Sequence, residues 1–229
     1  MVEHINRDDI SLNSKDAKVA YGCVTNSFER VQKYVLPRIG NRPLTLLWNQ
    51  TSITQAYNQI LNSWQSSNVD VIILLHDDLE LIDPNAEEKF LHALADPMVG
   101  IAGVCGGFGV SGLAWWNAAT VGHQLTDSGF LEFGPRGGVV DSIEGSVMAF
   151  GSWAIDNLRF DENFTGFHGY DDIGLEVTRK HKKHVMVVDV DTYHHTTFGF
   201  DSVESEQAWF DADTKFKRKW NLGVTSDSA

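Results

Sequence analysis

Val69-Asp-Val-Ile-Ile-Leu-Leu-His-Asp-Asp-Leu-Glu80 is the most hydrophobic segment of the chain, and it runs straight into charge. Its apolar residues do not alternate with polar ones, the mark of a strand buried on both faces. Outward from it the pattern repeats. Upstream, Lys18–Thr25 is a short β-prone run, and a helix is expected from Ser27, a plausible N-cap, to about Ile39, with Pro37 near its end. Leu44–Trp48 reads as a strand. Ser52–Trp64 places Ile53, Ala56, Tyr57, Ile60, Leu61 and Trp64 at helical spacing. Downstream, Asp83–Ala95 predicts a helix and Val99–Val104 another buried strand. Strands separated by helices of this length predict an α/β fold, a mostly parallel central sheet flanked by helices.

After Cys105 the character changes. Gly106, Gly107, Gly109 and Gly112 read as a flexible loop leading to Trp115-Trp116. β-like runs follow at Gly138–Ile143 and Ser146–Phe150. Then come a helix from about Asp171 to Lys183, a strand at Val185–Val190, and a last helix from about Val203 to Trp220. Residues 1–16 are polar and read as a loose N-terminal arm. Residues 17–229 read as a single domain with a nucleotide-binding half at about 17–105 and an acceptor or catalytic half at about 106–229.

The totals exclude several classes. The chain of 229 residues is 42% hydrophobic and carries 13 Phe, 7 Trp and 5 Tyr, enough apolar surface to offset the entropy of ordering. The longest apolar run, Val71–Leu75, falls far short of the roughly 20 residues of a membrane span. Glu3, Arg7, Asp8, Asp9, Lys15 and Asp16 leave no room for a signal peptide in the first twenty residues. Two cysteines, Cys23 and Cys105, make no disulfide framework, so a cytoplasmic location is the expectation. A net charge of −13 disfavours a nucleic-acid partner. An anionic ligand would need a local cation or a metal held by the surplus carboxylates.

Three segments could carry chemistry. His76, Asp77 and Asp78, with Glu80 beyond, emerge at the carboxyl end of a buried strand, where α/β sheets bind ligands. Clustered carboxylates there suit Mg²⁺ or Mn²⁺, although acidic residues after a strand also simply open loops. Asp171-Asp172 stands at a helix N-terminus behind glycines. One of them could be a general base, or both could cap the helix. His194-His195 follows a further strand, as metal ligands or as hydrogen-bonded structural residues. HExxH, GxGxxG, GxxxxGK[ST] and GxSxG patterns are absent. Trp115-Trp116 could stack on a sugar or pack in the core.

In order and spacing these residues resemble a family-2-type glycosyltransferase of the GT-A fold, more specifically its streptomycin-biosynthesis transferase-like subgroup. The marks are Val24-Thr25-Asn26 closing the first strand, Ser52-Ile-Thr-Gln-Ala-Tyr-Asn58, His76-Asp-Asp78 at the DxD position, Asp141 to Gly145, Phe160-Asp-Glu-Asn-Phe164 leading to Asp171-Asp172, and the late His-His-Thr. The resemblance implies a divalent metal and a nucleoside-diphosphate-sugar donor of UDP, GDP or dTDP type. It also implies transfer to a hydroxyl acceptor, with inversion. It places Val24, Thr25 and Asn26 by the base and ribose, and Asn58, His76 and Asp77 around the donor. Asp78 would hold the metal with His194 or His195, and Asp172, or else Asp171, would be the base. Trp115, Trp116 and Glu144 are acceptor-side candidates. The chain departs from the pattern at His76, where the DxD motif has its first Asp, and at Asp171-Asp172, where relatives have Glu-Asp. Two other functions use the same residues: a metal-dependent phosphohydrolase, and a non-catalytic nucleotide-sugar-binding protein.

Overall fold

The computed structural model describes residues 2–4, 19–196 and 202–223. Most of the expected N-terminal arm therefore lies outside the described residues. Within it, Val2–His4 forms an edge strand antiparallel to Leu44–Trp48.

The larger sheet has eight strands in the spatial order 2–4, 44–48, 19–25, 71–76, 147–151, 99–103, 184–187 and 138–140. The pairs of 19–25 with 44–48 and with 71–76 are parallel, as is that of 99–103 with 184–187. Val147–Gly151 runs antiparallel between 71–76 and 99–103, joining the two parallel groups. A smaller sheet is built from 142–143, 105–108, 119–126, 192–194 and 79–81, with 129–132 added to 119–126.

Burial explains the opening segment. Val71, Ile73 and Leu75 enter one apolar cluster, while Ile72 and Leu74 enter a second on the opposite face. Each face is covered by helices, so every residue of the run is buried. On the second face lies the helix Ile53–Trp64, which contributes Ile53, Ala56, Tyr57, Ile60 and Leu61. Gly22 lets that helix approach, since a Cβ there would stand 2.5 Å from Ile60. On the first face, Ser27 caps a helix that continues to Ile39 through a π-helical turn at Val31–Val35. Pro37 accounts for that turn: its ring clashes with the carbonyl four residues back, at Lys33.

One expectation fails by its glycines. Cys105–Phe108 is a strand paired with Ala119–Thr126 and with Ser142–Ile143, not a loop. Gly106 and Gly107 are required by close backbone approach: a Cβ would lie 2.3 Å from the Ser142 carbonyl at the first and 2.5 Å from the Trp115 carbonyl at the second. Among the described residues no helix is long and apolar enough to cross a membrane.

Candidate active site

The strands of the parallel group end at one edge of the sheet, and a cavity of about 490 Å³ opens there. Val24, Thr25 and Asn26 line it from the first strand, Asn49 and Gln50 from the second, and His76, Asp77 and Asp78 from the third. Ile53 and Tyr57 close one side, and Phe167 and Tyr170 another. Arg30 is the one Lys or Arg of this lining. Asn49 turns the chain towards the cavity in the left-handed region, φ 50°, which asparagine tolerates better than most residues.

Asp77 is buried and braced. Its carboxylate accepts a 2.6 Å hydrogen bond from Thr25 Oγ1 and lies 3.5 Å from the exposed Arg30 guanidinium. Its neighbour Asp78 points the other way, 3.2 Å from His194 Nε2. His76, Asp78 and His194 each bring one ligand atom within 4.8 Å of the others, a spacing suited to a single cation. Burial first, then the neighbouring His194, lowers the His76 pKa, which leaves a neutral ring with a free lone pair. Burial works against the Asp78 carboxylate, but the His194 hydrogen bond and charge, with the nearby Arg30 guanidinium, outweigh it and lower its pKa. His194 is likewise disfavoured by burial and yet raised, by its bond to Asp78 and by the Glu144, Asp78 and Asp127 carboxylates. Two imidazoles and an ionised carboxylate fit a divalent ion that accepts both nitrogen and oxygen ligands.

His195, the expected alternative to His194, is not part of this group. Its ring is stacked between Tyr34 at 3.9 Å and Tyr193 at 4.0 Å, and its Nε2 lies 2.7 Å from Glu80. Its backbone N–H donates to the Asp78 carbonyl at 2.8 Å, tying the segments that carry Asp78 and His194 together.

A second group, His123, Asp189 and Asp191, has a similar spacing. It fits a metal poorly. His123 Nδ1 is buried without a partner, so an ion on Nε2 would force a proton onto Nδ1 with no acceptor, where metal-bound histidines require one. Arg136, at 3.6 Å from Asp189 and 4.0 Å from Asp191, already supplies a cation.

The acidic pair is resolved by what holds each member. Asp172 is buried, with one carboxylate oxygen 2.6 Å from Lys219 Nζ and the other accepting from the Trp220 indole N–H at 2.6 Å. Burial works against the Lys219 charge, but Asp161 and Asp172 overcome it and hold the ammonium protonated. Asp172, expected as the base, thus has both carboxylate oxygens engaged in anchoring the C-terminal helix. Asp171, partly exposed, keeps its carboxyl clear of such partners. Burial, then Glu144 and Asp172, pushes its pKa up to about 8. Glu144 accepts from the Ser146 N–H at 3.0 Å and from the Ser146 hydroxyl, and its charge reaches His76, His194, Tyr170 and Asp171 alike.

Three further expectations change. Asn58 does not face the cavity: its amide donates to the Phe160 carbonyl and Glu162 and accepts from the Phe160 N–H, bracing the helix to a loop. Trp115 is core, packed against Phe133, and Trp116 is an exposed ring beside Trp209; neither lines the cavity. Conversely, Arg30, Asn49, Gln50, Tyr57, Phe167 and Tyr170 were not foreseen as lining. Asn49-Gln50 could have been, since it directly follows a strand of the parallel group.

The comparisons agree on architecture. A197 from STIV is 12% identical, with 79% of this chain and 86% of that one aligned and a TM-score of 0.51. GalNAc-T7, solved with UDP, GalNAc and Mn²⁺, is 8% identical, with a TM-score of 0.59 over 88% of this chain. The chain spans about half of that protein, 48% of its length. No curated protein matches the sequence. The sheet order and these likenesses identify the fold as GT-A. Residues 25–218 match the glycosyltransferase-like family, and the chain belongs to it.

Proposed function

We propose that this protein is a metal-dependent, inverting glycosyltransferase that takes a sugar from a nucleoside diphosphate to a hydroxyl acceptor. The observation that carries the reading is the His76–Asp78–His194 group, of which His76 and Asp78 line a cavity at the strand ends and His194 stands behind them against Asp78. GalNAc-T7, of the same fold, was solved with UDP and Mn²⁺. The motif order favours the streptomycin-biosynthesis transferase-like subgroup, a UDP, GDP or dTDP donor, and a cytoplasmic location.

His76, Asp78 and His194 would hold the cation, whose chemistry is to neutralise the departing diphosphate. Arg30, at the cavity rim, adds a second positive charge for the same phosphates. Val24, Thr25, Asn26, Asn49 and Gln50 form the nucleoside end, with Asp77 fixed in place by Thr25. The acceptor oxygen attacks the anomeric carbon from the face opposite the leaving group. As the new C–O bond forms and the bond to phosphate breaks, Asp171 takes the acceptor proton. A carboxylate with a pKa near 8 is a far stronger base than an exposed one.

A thermal-shift panel of UDP, GDP and dTDP, with and without Mn²⁺, tests the reading. At least one nucleotide stabilises the protein only with metal, following RT ln(1+[L]/Kd). Asp78→Ala and His194→Ala each remove the effect. Stabilisation independent of metal would refute it. Rapid donor hydrolysis without an acceptor would identify a phosphohydrolase instead.

A further inference from the structure

Tyr57 belongs to the cavity wall and is 0% exposed, yet its hydroxyl has no hydrogen-bond partner. A buried unpaired hydroxyl costs free energy, and the few that exist in folded proteins call for an explanation. The ring itself is well packed, tilted against Phe160 at 5.3 Å and edge-on to Tyr170 at 6.5 Å. Nothing in that packing requires an oxygen. Phenylalanine would fill the same space without the cost.

The hydroxyl's surroundings define its chemistry. Burial first, then the neighbouring Cys23 and the Glu144, Asp77 and Asp78 carboxylates, hold its pKa well above 10, so it stays protonated and can donate at any working pH. The same carboxylates repel an anionic oxygen near it. A neutral ligand hydroxyl has no such difficulty, because it can accept from Tyr57 while donating its own proton to a carboxylate. In the proposed reading the nucleoside end of the cavity, around Val24, Asn26, Asn49 and Gln50, is served by other groups, whereas Tyr57 meets the Tyr170 ring that also packs edge-on to His76 at 6.0 Å.

We infer that the Tyr57 hydroxyl is a donor-specificity group that hydrogen-bonds a hydroxyl of the transferred sugar. This rests on the proposed glycosyltransferase reading and assigns the sugar end of that site.

Tyr57→Phe tests it through two effects of opposite sign. Melting temperature alone and affinity by calorimetry are measured, with Mn²⁺, for UDP and UDP-glucose, UDP and UDP-GalNAc, GDP and GDP-mannose, and dTDP and dTDP-glucose. The variant alone melts at or above the wild-type temperature. It keeps wild-type affinity for the free nucleoside diphosphate and loses roughly five- to tenfold for the sugar conjugate that the wild type prefers. A lower melting temperature of the variant alone would show that the hydroxyl has a protein partner, and would overturn the inference. Equal loss for diphosphate and conjugate, or no loss for either, would overturn it too. A wild type that binds a nucleoside diphosphate but none of its conjugates also overturns this inference while leaving metal-dependent nucleotide binding intact. A wild type that responds to no nucleotide at all refutes the glycosyltransferase reading itself.

Discussion

Replacing Asp171 by asparagine separates catalysis from stability more cleanly than any other change in this protein. Asparagine keeps the shape of the protonated carboxyl and removes only its ability to take a proton. A general base contributes about 10²–10⁴-fold, so kcat should fall by at least about 100-fold while the Kd for nucleotide stays within about twofold. The wild-type pH profile gives a second magnitude. With a pKa of about 8, Asp171 is about one-tenth ionised at pH 7 and about nine-tenths at pH 9, so kcat/KM should rise about tenfold between them. Stability should move the other way. Because the folded pKa lies above the unfolded value of about 3.9, the folded state holds a proton that the unfolded chain has released across that interval. Wild-type stability therefore declines as pH rises from about 4 to about 8, and the asparagine variant lacks this part of the decline. Sugar transfer from a radiolabelled donor, with melting curves from pH 5 to 9, measures both. Near-normal turnover by Asp171→Asn, or a flat wild-type pH profile from 7 to 9, would refute the argument.

The other perturbations are simpler to state. Asp172→Ala strips a buried partner from Lys219 and from the Trp220 indole. It should cost about 3 kcal/mol, or about 6–12 °C in Tm, read by calorimetry; an unchanged Tm would show that the C-terminal helix is not anchored there. Arg30→Met should weaken nucleoside-diphosphate binding a few-fold at low salt and less at 0.5 M NaCl, because its exposed charge is screened; a salt-independent loss would contradict that. Gly145→Ala would bring a Cβ within 1.7 Å of the Tyr170 ring. The ring must swing out of the cavity wall, so both Tm and nucleotide affinity should drop together in a thermal-shift titration.

Much of this fold could be read in advance because burial on two faces leaves a simple trace. Val71–Leu75 has no polar residue to hide, so strand and position were both legible. Cys105–Phe108 was not, because its glycines are weak strand formers in themselves and are needed only for a close approach that involves Ser142 and Trp115. Nor was the insertion of Val147–Gly151 between two strands with which it runs antiparallel, since pairing order leaves no local pattern. At the site, position along the chain outran role. His194 and His195 are adjacent at a strand end, where successive side chains point to opposite sides, so one meets Asp78 and the other Glu80. Asp171 and Asp172 differ by one step of a helix, and what sets their surroundings apart is Lys219, 47 residues from Asp172. Asn58 is placed at the donor only by its position in the family resemblance, which carries no trace that both ends of its amide are engaged by Phe160.

The placement of Val147–Gly151 also constrains how the molecule comes into being. Its pairing with Val71–His76 and the His76 N–H bond to the Ser146 carbonyl mean that the strand bearing the ligand cluster has an open edge until residues 146–151 have been synthesised. His194, the last member of the proposed ligand set, arrives later still. During translation the hydrophobic run 71–75 thus waits for a distant partner, a long-range closure of the kind that slows folding and leaves an unpaired edge available for aggregation. Ribosome-bound chains halted before residue 147 should therefore lean on chaperones, and no fragment comprising only the first half can assemble the cluster.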